Sequence, residues 1–158
     1  MAGEDPVDEH KERIARLNQG FAEVVPHNRA LGLRFVGYGE GEASMQLPYD
    51  EKLVGNPETG VLHGGAISAL MDATAGAAVI IKLRAPVAIA TLDLRIDYLR
   101  PSTPQQPVTC RAECYKLTRS VAFVRAVAFN DSESDPVAAA AGSFMIFEKG
   151  RTVAGEKQ

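Results

Sequence analysis

The chain is poor in the residues that build disulfide frameworks and metal centres, with two cysteines and three histidines among 158 residues. Cys110 and Cys114 are four positions apart, which in an extended strand is about 13 Å, too far for a disulfide. We therefore expect both to be reduced, small core residues. His10, His27 and His63 are far apart in sequence, and no Cys or His pair has metal-ligand spacing, so we expect no metal site.

Positive charge is scarce as well. Lysine and arginine number 17 against 20 acidic residues, a net charge of −3, whereas nucleic-acid-binding domains usually carry a basic surplus. The first twelve residues are acidic and polar and lack the positive and apolar regions of a signal peptide, so we expect a cytoplasmic protein. An apolar fraction of 46% with 23% charged residues is ordinary for a globular protein, and the length suits one domain.

The most informative stretch is a long apolar run that predicts a helix from Ala66 to Arg84. Nearly every face of that helix is apolar, which is typical of a helix buried on all sides. Pro86 is expected to end it, with Lys82 and Arg84 favourably placed in the last turn. The run is long enough to span a membrane, but its Ala and Gly content and the carboxylate of Asp72 at mid-span make that a poor alternative.

The start of this helix has the features of a site for a developing negative charge. His63-Gly64-Gly65 supplies backbone without Cβ atoms where the first helical N–H groups lack internal partners. Those donors and the positive end of the helix dipole can hold an oxygen that becomes negative. Asp72 is the only acid in the helix, eight residues beyond Gly64, so roughly 12 Å separates the two along the axis.

One helix cannot aim both groups at one carbonyl. If both are catalytic, the simplest geometry is two antiparallel copies around a two-fold axis, with the Gly64 end of one beside Asp72 of the other. The spacing therefore predicts a dimer with shared sites. Pure packing is the alternative, because a buried helix with glycine at its start and one hydrogen-bonded aspartate needs no catalytic role.

A surface helix is predicted near the N-terminus. Asp5-Pro6 has the pattern of an N-cap followed by proline at the first helical position. An apolar stripe at helical spacing follows, Pro26 stops it, and its members are Ile14, Leu17, Phe21 and Val24. Packing on the domain is the simple interpretation, and a lid beside a substrate tunnel is the alternative.

A hairpin is predicted between this surface helix and the apolar run. The chain becomes strand-like from Leu31, turns at Gly39-Glu40-Gly41 and returns over Ala43–Leu47. The polar segment Pro48–Gly60 contains glycine and proline and is predicted to be a loop that delivers the chain to the helix. Loops carry function more often than cores do, so Asn56 within it is a candidate site residue, with a turn or cap as its simpler role.

Four runs with strand character follow the helix and predict an antiparallel meander. Val87–Leu99 alternates, with Leu92, Leu94, Ile96 and Tyr98 on one face and Thr91, Asp93, Arg95 and Asp97 on the other. Pro107–Leu117 places Val108, Cys110, Ala112 and Cys114 on one face, and Val121–Asn130 places Val121, Phe123, Val127 and Phe129 on the face of Arg125. The last run, Val137–Phe147, is rich in alanine, whose small side chain lets a buried helix approach the sheet closely.

These elements predict an α+β fold in which a curved antiparallel sheet wraps one long central helix. We expect a single domain over residues 1–158, with a helical extension over 1–27 and a flexible tail over 149–158.

The order of these elements resembles a known family. His63-Gly64-Gly65 opens the central helix, Asp72 follows the histidine by nine residues, and Leu99-Arg100-Pro101 closes the next strand. This combination resembles the hotdog-fold thioesterases, specifically the PaaI-like acyl-CoA thioesterases, over roughly Leu31 to Phe147. The resemblance implies a hotdog fold and hydrolysis of a coenzyme A thioester at a site shared between two subunits.

The resemblance also implies roles for individual residues. Asp72 matches the catalytic carboxylate, as general base or nucleophile, and the Gly64 amide matches the donor that polarises the thioester carbonyl. His63 matches the motif histidine, which orders the loop. Asn56 matches an asparagine that holds the carbonyl oxygen, provided that a one-residue bulge is accommodated before His63. Thr91 matches a hydroxyl residue that positions water, provided that its face of the strand, or a bulge at the start of the strand, meets the helix of the partner subunit.

The substrate and assembly follow from the same resemblance. Coenzyme A is part of the substrate and no other cofactor is implied. Its phosphates should prefer surface cations, for which Arg100, Lys116 and Arg119 at strand ends and turns are the candidates. We expect a homodimer at least and favour a homotetramer. Aromatic, medium-chain and long-chain acyl groups all fit the sequence.

Two other functions remain open at this stage. A hotdog dehydratase or hydratase would use a histidine with an acid, and His63 keeps that alternative alive although its place before two glycines favours a thioesterase. A non-catalytic acyl-CoA-binding hotdog protein is the other alternative, and the presence of Asp72 argues against it.

Overall fold

The computed structural model describes residues 6–85 and 87–147. Within them the helices are α1 (Pro6–Leu17), α2 (Pro26–Leu31) and α3 (Gly64–Leu83). The strands are β1 (Arg34–Gly39), β2 (Glu42–Leu47), β3 (Val54–Asn56), β4 (Val61–Leu62), β5 (Ile89–Tyr98), β6 (Val108–Leu117), β7 (Val121–Phe129) and β8 (Ala138–Ile146). The predicted tail and Pro86 lie outside the described residues, and so does Asp5.

Six strands form one antiparallel sheet in the order β1-β2-β6-β7-β8-β5. α3 packs on one face of this sheet, mainly against β2, β6 and β7. β5 is hydrogen-bonded to a neighbouring strand on one side only, which leaves it at the sheet edge. The predicted α+β class is confirmed, and a central helix held by an antiparallel sheet is the hotdog fold that the resemblance implies.

The core lies between α3 and the inner face of the sheet. Small residues line this face of β7, where Ala122, Val124, Ala126 and Ala128 are buried, so the helix comes close. The predicted inner face of β6 is buried as well and includes both cysteines, which are free thiols. Phe123 and Arg125 lie on the opposite, outer face of β7.

The described residues do not enclose the central helix on every side. Leu70, Met71 and Thr74 through Val79 are buried, but a strip along α3 that includes Ser68, Asp72 and Ala73 is half-buried. The helix is long and apolar enough to cross a membrane, with 56% of its most apolar window buried inside the fold. Full enclosure therefore requires something beyond the described residues of one chain.

The N-terminal segment differs from its prediction. α1 ends at Leu17, and a π-helical turn, Asn18–Ala22, follows, in which Glu23 N–H bonds the Asn18 carbonyl at 2.9 Å. This turn holds more residues than an α-helical turn and so rotates later side chains off the stripe. Phe21 still packs on Phe35, with ring centroids 5.8 Å apart, but Val24 is 65% exposed.

Pro26 begins a helix instead of only stopping one. It stands at the start of α2, where a missing N–H costs nothing. α2 ends at Gly32, whose φ of 68° is left-handed, and the strand starts at Arg34 and not at Leu31. The hairpin with a turn at Glu40-Gly41 is confirmed. The segment predicted as a plain loop, Pro48–Gly60, contains a 3₁₀ turn and β3, which pairs with β4.

A bulge corrects the predicted faces of β5. Thr91 pairs with Phe144 and Asp93 with Ser143, so Leu92 is an extra residue without a partner in the ladder. Leu94, Ile96 and Tyr98 lie on the predicted face, but Leu92 is turned outward and is 52% exposed. Thr91 consequently points to the same side as Leu94, toward α3.

Candidate active site

Asp72 and Thr91 form a hydrogen-bonded pair at the open side of α3. The Thr91 hydroxyl donates to Asp72 Oδ1 at 2.8 Å, and Asp72 is half-buried on the helix strip that the described residues leave uncovered. This contact depends on the bulge at Leu92, since strict alternation would turn Thr91 away. The pair leaves the second carboxylate oxygen of Asp72 free of hydrogen bonds from the described residues.

His63 caps the N-terminus of α3. Its ring Nδ1 accepts a hydrogen bond from the Gly65 N–H at 2.9 Å, in the manner of an N-cap side chain. Because Nδ1 is an acceptor here, the neutral ring carries its proton on Nε2. The arrangement agrees with a histidine that orders the loop.

The Gly64 N–H is left without a hydrogen-bond acceptor by the described residues around it. No acceptor among the described residues bonds the Gly64 N–H, while the Gly64 carbonyl accepts from Tyr98 Oη at 2.6 Å and from Ser68 Oγ at 3.1 Å. A Cβ built on Gly64 would lie 3.3 Å from the Tyr98 ring, which is a tight contact. The donor predicted from sequence is therefore present and unpaired among the described residues, and two unpredicted hydroxyls hold the next peptide, which carries the Gly64 carbonyl.

Tyr98 and Ser68 are the residues that sequence reasoning missed here. Their hydroxyls lie 2.7 Å apart and form a small network with the Gly64 carbonyl. The available signal was the spacing of Ser68, one helical turn after Gly64, and the inward face on which β5 places Tyr98.

Asp72 and Gly64 face different cavities. Asp72 and Thr91 line a cavity of about 400 Å³ with Phe21, Ala73 and Phe144 among its walls. Gly64 lines another of about 400 Å³, bounded also by Ile67, Tyr98 and Arg100. The two cavities share no lining residue. The separation expected from the helix rise is thus present in the fold.

Asn56 lines neither of these two cavities. Its Oδ1 accepts from the Glu58 N–H at 3.0 Å and its carbonyl accepts from the Gly60 N–H at 2.9 Å, so it closes the turn between β3 and β4. The register of this ribbon shifts between Val54 and Asn56, which accommodates one extra residue before His63. Within one chain Asn56 is a turn residue.

The three candidate cations are placed differently. Arg100 lines the Gly64 cavity, and its guanidinium donates to the Asp135 carbonyl at 2.8 Å and lies 3.0 Å from the Asp135 carboxylate. Lys116 and Arg119 lie exposed near the β6–β7 hairpin and line neither cavity. In residues 6–85 and 87–147, no three His, Cys, Asp or Glu side chains converge as metal ligands.

Comparison with known proteins fits this geometry. A family model described as the thioesterase superfamily matches residues 59–137, which include His63, Asp72 and Thr91. The chain belongs to the thioesterase superfamily. Membership, together with relatives named acyl-CoA thioesterase, identifies it as a thioester hydrolase, and the matched residues span α3 and β5 to β7.

Similar proteins cover most of the chain. The Escherichia coli protein named medium/long-chain acyl-CoA thioesterase YigI is 27% identical over 149 residues, 86% of this chain and 95% of its own. A Pseudomonas aeruginosa crystal structure is 40% identical with a TM-score of 0.75, covering 84% of this chain and 97% of that one. The Thermus thermophilus phenylacetic acid degradation protein PaaI, solved as a mutant, is 28% identical with a TM-score of 0.65, covering 76% and 97%.

Proposed function

We propose that this protein hydrolyses acyl-CoA thioesters to the free acid and coenzyme A. Thioesterase superfamily membership supports the reaction, and similarity to a protein named acyl-CoA thioesterase supports the coenzyme A moiety. The observation that carries the proposal is that two candidate groups on α3 line two different cavities. The Asp72 carboxylate, which is hydrogen-bonded to Thr91, lines one, and the Gly64 N–H, which no described residue pairs, lines the other.

Each active site in this proposal is shared between two copies of the chain. The two groups are roughly 12 Å apart along one helix, too far to act on one carbonyl. A two-fold axis that runs between antiparallel α3 helices brings the Gly64 cavity of one copy against the Asp72 cavity of the other. The uncovered strip on α3, which includes Ser68 and Asp72, supports such an arrangement because a second helix would cover it.

The chemistry needs few groups. Asp72 takes a proton from water as the water oxygen attacks the thioester carbon, or attacks that carbon itself to give an anhydride that water then hydrolyses. Thr91 holds one carboxylate oxygen and leaves the other for the attacking water. The Gly64 N–H and the helix dipole stabilise the developing oxyanion, a contribution of about 3 to 4 kcal/mol for a well-placed donor. In both routes the oxyanion collapses, the C–S bond breaks, and the coenzyme A thiolate leaves and takes up a proton. In the second route this collapse forms the anhydride, which water hydrolyses afterwards.

Binding of the nucleotide part falls to cations near the Gly64 cavity. Arg100 is the best placed of the three sequence candidates, because it lines that cavity, although its guanidinium is already engaged by Asp135. Lys116 and Arg119 would contribute only if the nucleotide extended to the β6–β7 hairpin. Asn56 would reach a shared site only from the partner's side. We further propose a homodimer at least, with a homotetramer favoured, and a cytoplasmic location.

The test is free-thiol release from a panel of aromatic and straight-chain acyl-CoAs, with wild type compared to Asp72→Asn at equal folded concentration. Asn keeps the shape of Asp and its hydrogen bond to Thr91 but cannot act as a base. We expect kcat/KM to fall by about 10²- to 10⁴-fold, the usual contribution of a positioned base. Hydrolysis of no member of the panel would favour a non-catalytic acyl-CoA-binding protein.

A further inference from the structure

A glycine in β8 lies beside the bulge that turns Thr91 toward α3. Gly142 pairs across the ladder with Leu94 of β5, the second residue after the bulge at Leu92. Asp93 lies between the bulge and this pair, so its peptide is the first that returns to the regular ladder. Gly142 therefore faces the part of β5 in which the extra residue is absorbed.

Gly142 has no room for a side chain. A Cβ built on it would lie 2.5 Å from the Asp93 carbonyl oxygen and 3.2 Å from the Leu94 Cα, and both are backbone atoms. Ordinary contact with a Cβ begins at about 3.4 Å. The φ angle of Gly142 is not in the left-handed region, so its conformation does not require glycine. Glycine is required because the backbone of β5 comes so close.

An added Cβ would displace the segment of β5 that holds Thr91. To restore ordinary contact, the Asp93 carbonyl must move from 2.5 Å to about 3.4 Å, a retreat of about 0.9 Å. The Thr91 hydroxyl lies 2.8 Å from Asp72 Oδ1, and a contact much longer than about 3.5 Å is no hydrogen bond. A retreat of this size at Thr91 breaks the contact. The other relief is loss of the bulge, after which strict alternation turns Thr91 away from α3.

We propose that Gly142 is a positioning residue for the Asp72–Thr91 pair. Its missing side chain admits the bulge, and the bulge aims the Thr91 hydroxyl at the carboxylate. Gly142 lines neither the Asp72 cavity nor the Gly64 cavity, so it acts through Thr91 and not on the substrate. The kinetic part of the test rests on the proposed function, whereas the geometric part does not.

A double-variant cycle separates this role from a general loss of packing. We would measure kcat and KM on the best acyl-CoA substrate for wild type, Gly142→Ala, Thr91→Val and the combined variant, at equal folded concentration. Gly142→Ala should lower kcat by about tenfold with KM little changed, as for the removal of a hydrogen bond to a charged group. In the Thr91→Val background, which has no hydroxyl to misplace, the same change should cost less than about twofold. An unchanged kcat in Gly142→Ala, or an equal loss in both backgrounds, would overturn the inference.

Gly37→Ala is the matched control. Gly37 also lies in a strand beside a bulge, because the register of β1 and β2 shifts between Phe35 and Gly37. A Cβ on Gly37 would come no closer than 3.5 Å to the Ser44 side chain, which is ordinary contact. Its replacement should leave kcat unchanged in both Thr91 backgrounds. A loss equal to that of Gly142→Ala would overturn the assignment.

Deletion of Leu92 keeps the inference testable if Gly142→Ala does not fold. The deletion removes the extra residue and leaves the ladder pairs on both sides of it in place. Thr91 then still faces α3, and a Cβ at position 142 has ordinary space. The combined chain should therefore regain the folded state, measured by circular dichroism. A combined chain that stays unfolded, or a deletion that unfolds the chain by itself, would overturn the inference, because the glycine or the bulge would then serve the fold and not Thr91.

A crystal structure of folded Gly142→Ala decides the geometry independently of activity. Thr91 Oγ1 should lie more than about 3.5 Å from Asp72 Oδ1. A contact that stays at 2.8 Å, as in the wild type, would overturn the inference. If wild type hydrolyses no acyl-CoA, the proposed function fails, and this structure alone decides the inference.

Discussion

At the scale of single residues, the proposed reaction depends most on the Asp72–Thr91 contact. A half-buried carboxylate that has only one hydrogen bond is mobile in principle, and the Thr91 hydroxyl restricts it. Thr91 therefore acts through the base, Asp72, and not on the substrate. Its removal should therefore lower the rate of the chemical step more than substrate affinity.

Thr91→Val removes this hydroxyl and keeps the branched shape. A hydrogen bond to a charged group contributes about 1.5 kcal/mol or more, so we expect kcat to fall by about tenfold with KM little changed. Thr91→Ser keeps the hydroxyl and should retain most of the activity. Steady-state kinetics on the best acyl-CoA substrate would show this, and equal kcat values for wild type and Thr91→Val would contradict the role.

Cys110 gives a prediction for stability against pH. Burial raises the pKa of its thiol from 9.0 to about 12, although a hydrogen bond with Thr74 lowers it in part. Between these pH values the unfolded chain loses this proton while the folded chain keeps it. The stabilisation is therefore complete below pH 9 and is lost as the pH rises toward 12, at up to about 1.4 kcal/mol per pH unit.

Urea unfolding at pH 8, 9 and 10 would measure this loss in wild type and Cys110→Ala. We expect a shallower decline in the variant, which lacks the titrating thiol. Folded wild type should also react slowly with a thiol reagent at pH 8, because both cysteines are buried. Identical pH dependence in the two proteins would show that Cys110 is not the source.

At the scale of elements, the N-terminus of α3 depends on His63. His63→Ala removes the side-chain acceptor of the Gly65 N–H, and loss of an N-cap typically costs about 1 kcal/mol of unfolding free energy. His63→Asn keeps an acceptor of a preferred capping type and should retain both stability and most of the thioesterase activity. Chemical denaturation and thiol release would be measured on both variants.

The same pair of variants separates two enzymatic functions. A dehydratase or hydratase that moves protons through His63 would lose its activity in His63→Asn as fully as in His63→Ala. A cap that only orders the helix start predicts that asparagine substitutes for histidine. Full loss of activity in a stable His63→Asn would therefore contradict the structural role.

The helix and most strands could be predicted from sequence because each has a clear period. The apolar run after Gly64 and the alternation of β6 leave little choice of structure. Two of the errors occur where the period is broken by one residue: the π-helical turn turns Val24 outward, and the bulge at Leu92 turns Thr91 inward. No pattern in a single sequence locates such an insertion, because it is set by the neighbouring strand or helix.

For the candidate site, sequence could supply the groups on α3 but not the residues that converge on them from elsewhere. His63 and Gly64 follow from their place at the helix start, where orphan N–H groups are a general property. Tyr98 comes from β5, and its approach to α3 depends on tertiary packing. Asn56 shows the converse, since its type suggested a site and its hydrogen bonds within one chain form a turn.

At the scale of the whole molecule, the half-buried strip of α3 leaves room for the second copy of the chain that the catalytic proposal requires. The catalytic proposal adds a sharper requirement, since each site needs Asp72 of one copy and Gly64 of the other. Two variant chains, each with one half of the site inactivated, should therefore restore activity when they combine in one heterodimer.

The Gly64 half can be tested with two variants that both add a Cβ, which the Tyr98 ring must accommodate at 3.3 Å, so that they differ only in the N–H donor. Gly64 is the first residue of α3, a position that accepts proline, and His63 has the extended backbone, with ψ of 133°, that a residue before proline prefers. Gly64→Pro removes the N–H donor, whereas Gly64→Ala adds a Cβ and keeps the donor. We expect Gly64→Pro to lose about 10²- to 10³-fold in kcat and Gly64→Ala to retain most activity.

The most direct measurement is the activity of dimers that combine Asp72→Asn with Gly64→Pro, co-expressed with two different tags and purified through both. Such a heterodimer has one site with both changes and one intact site, so we expect about half the specific activity of wild-type dimers, with both parent homodimers nearly inactive. If each site lies within one chain, the purified heterodimer will be as inactive as its parents, and the shared thioesterase site will be contradicted.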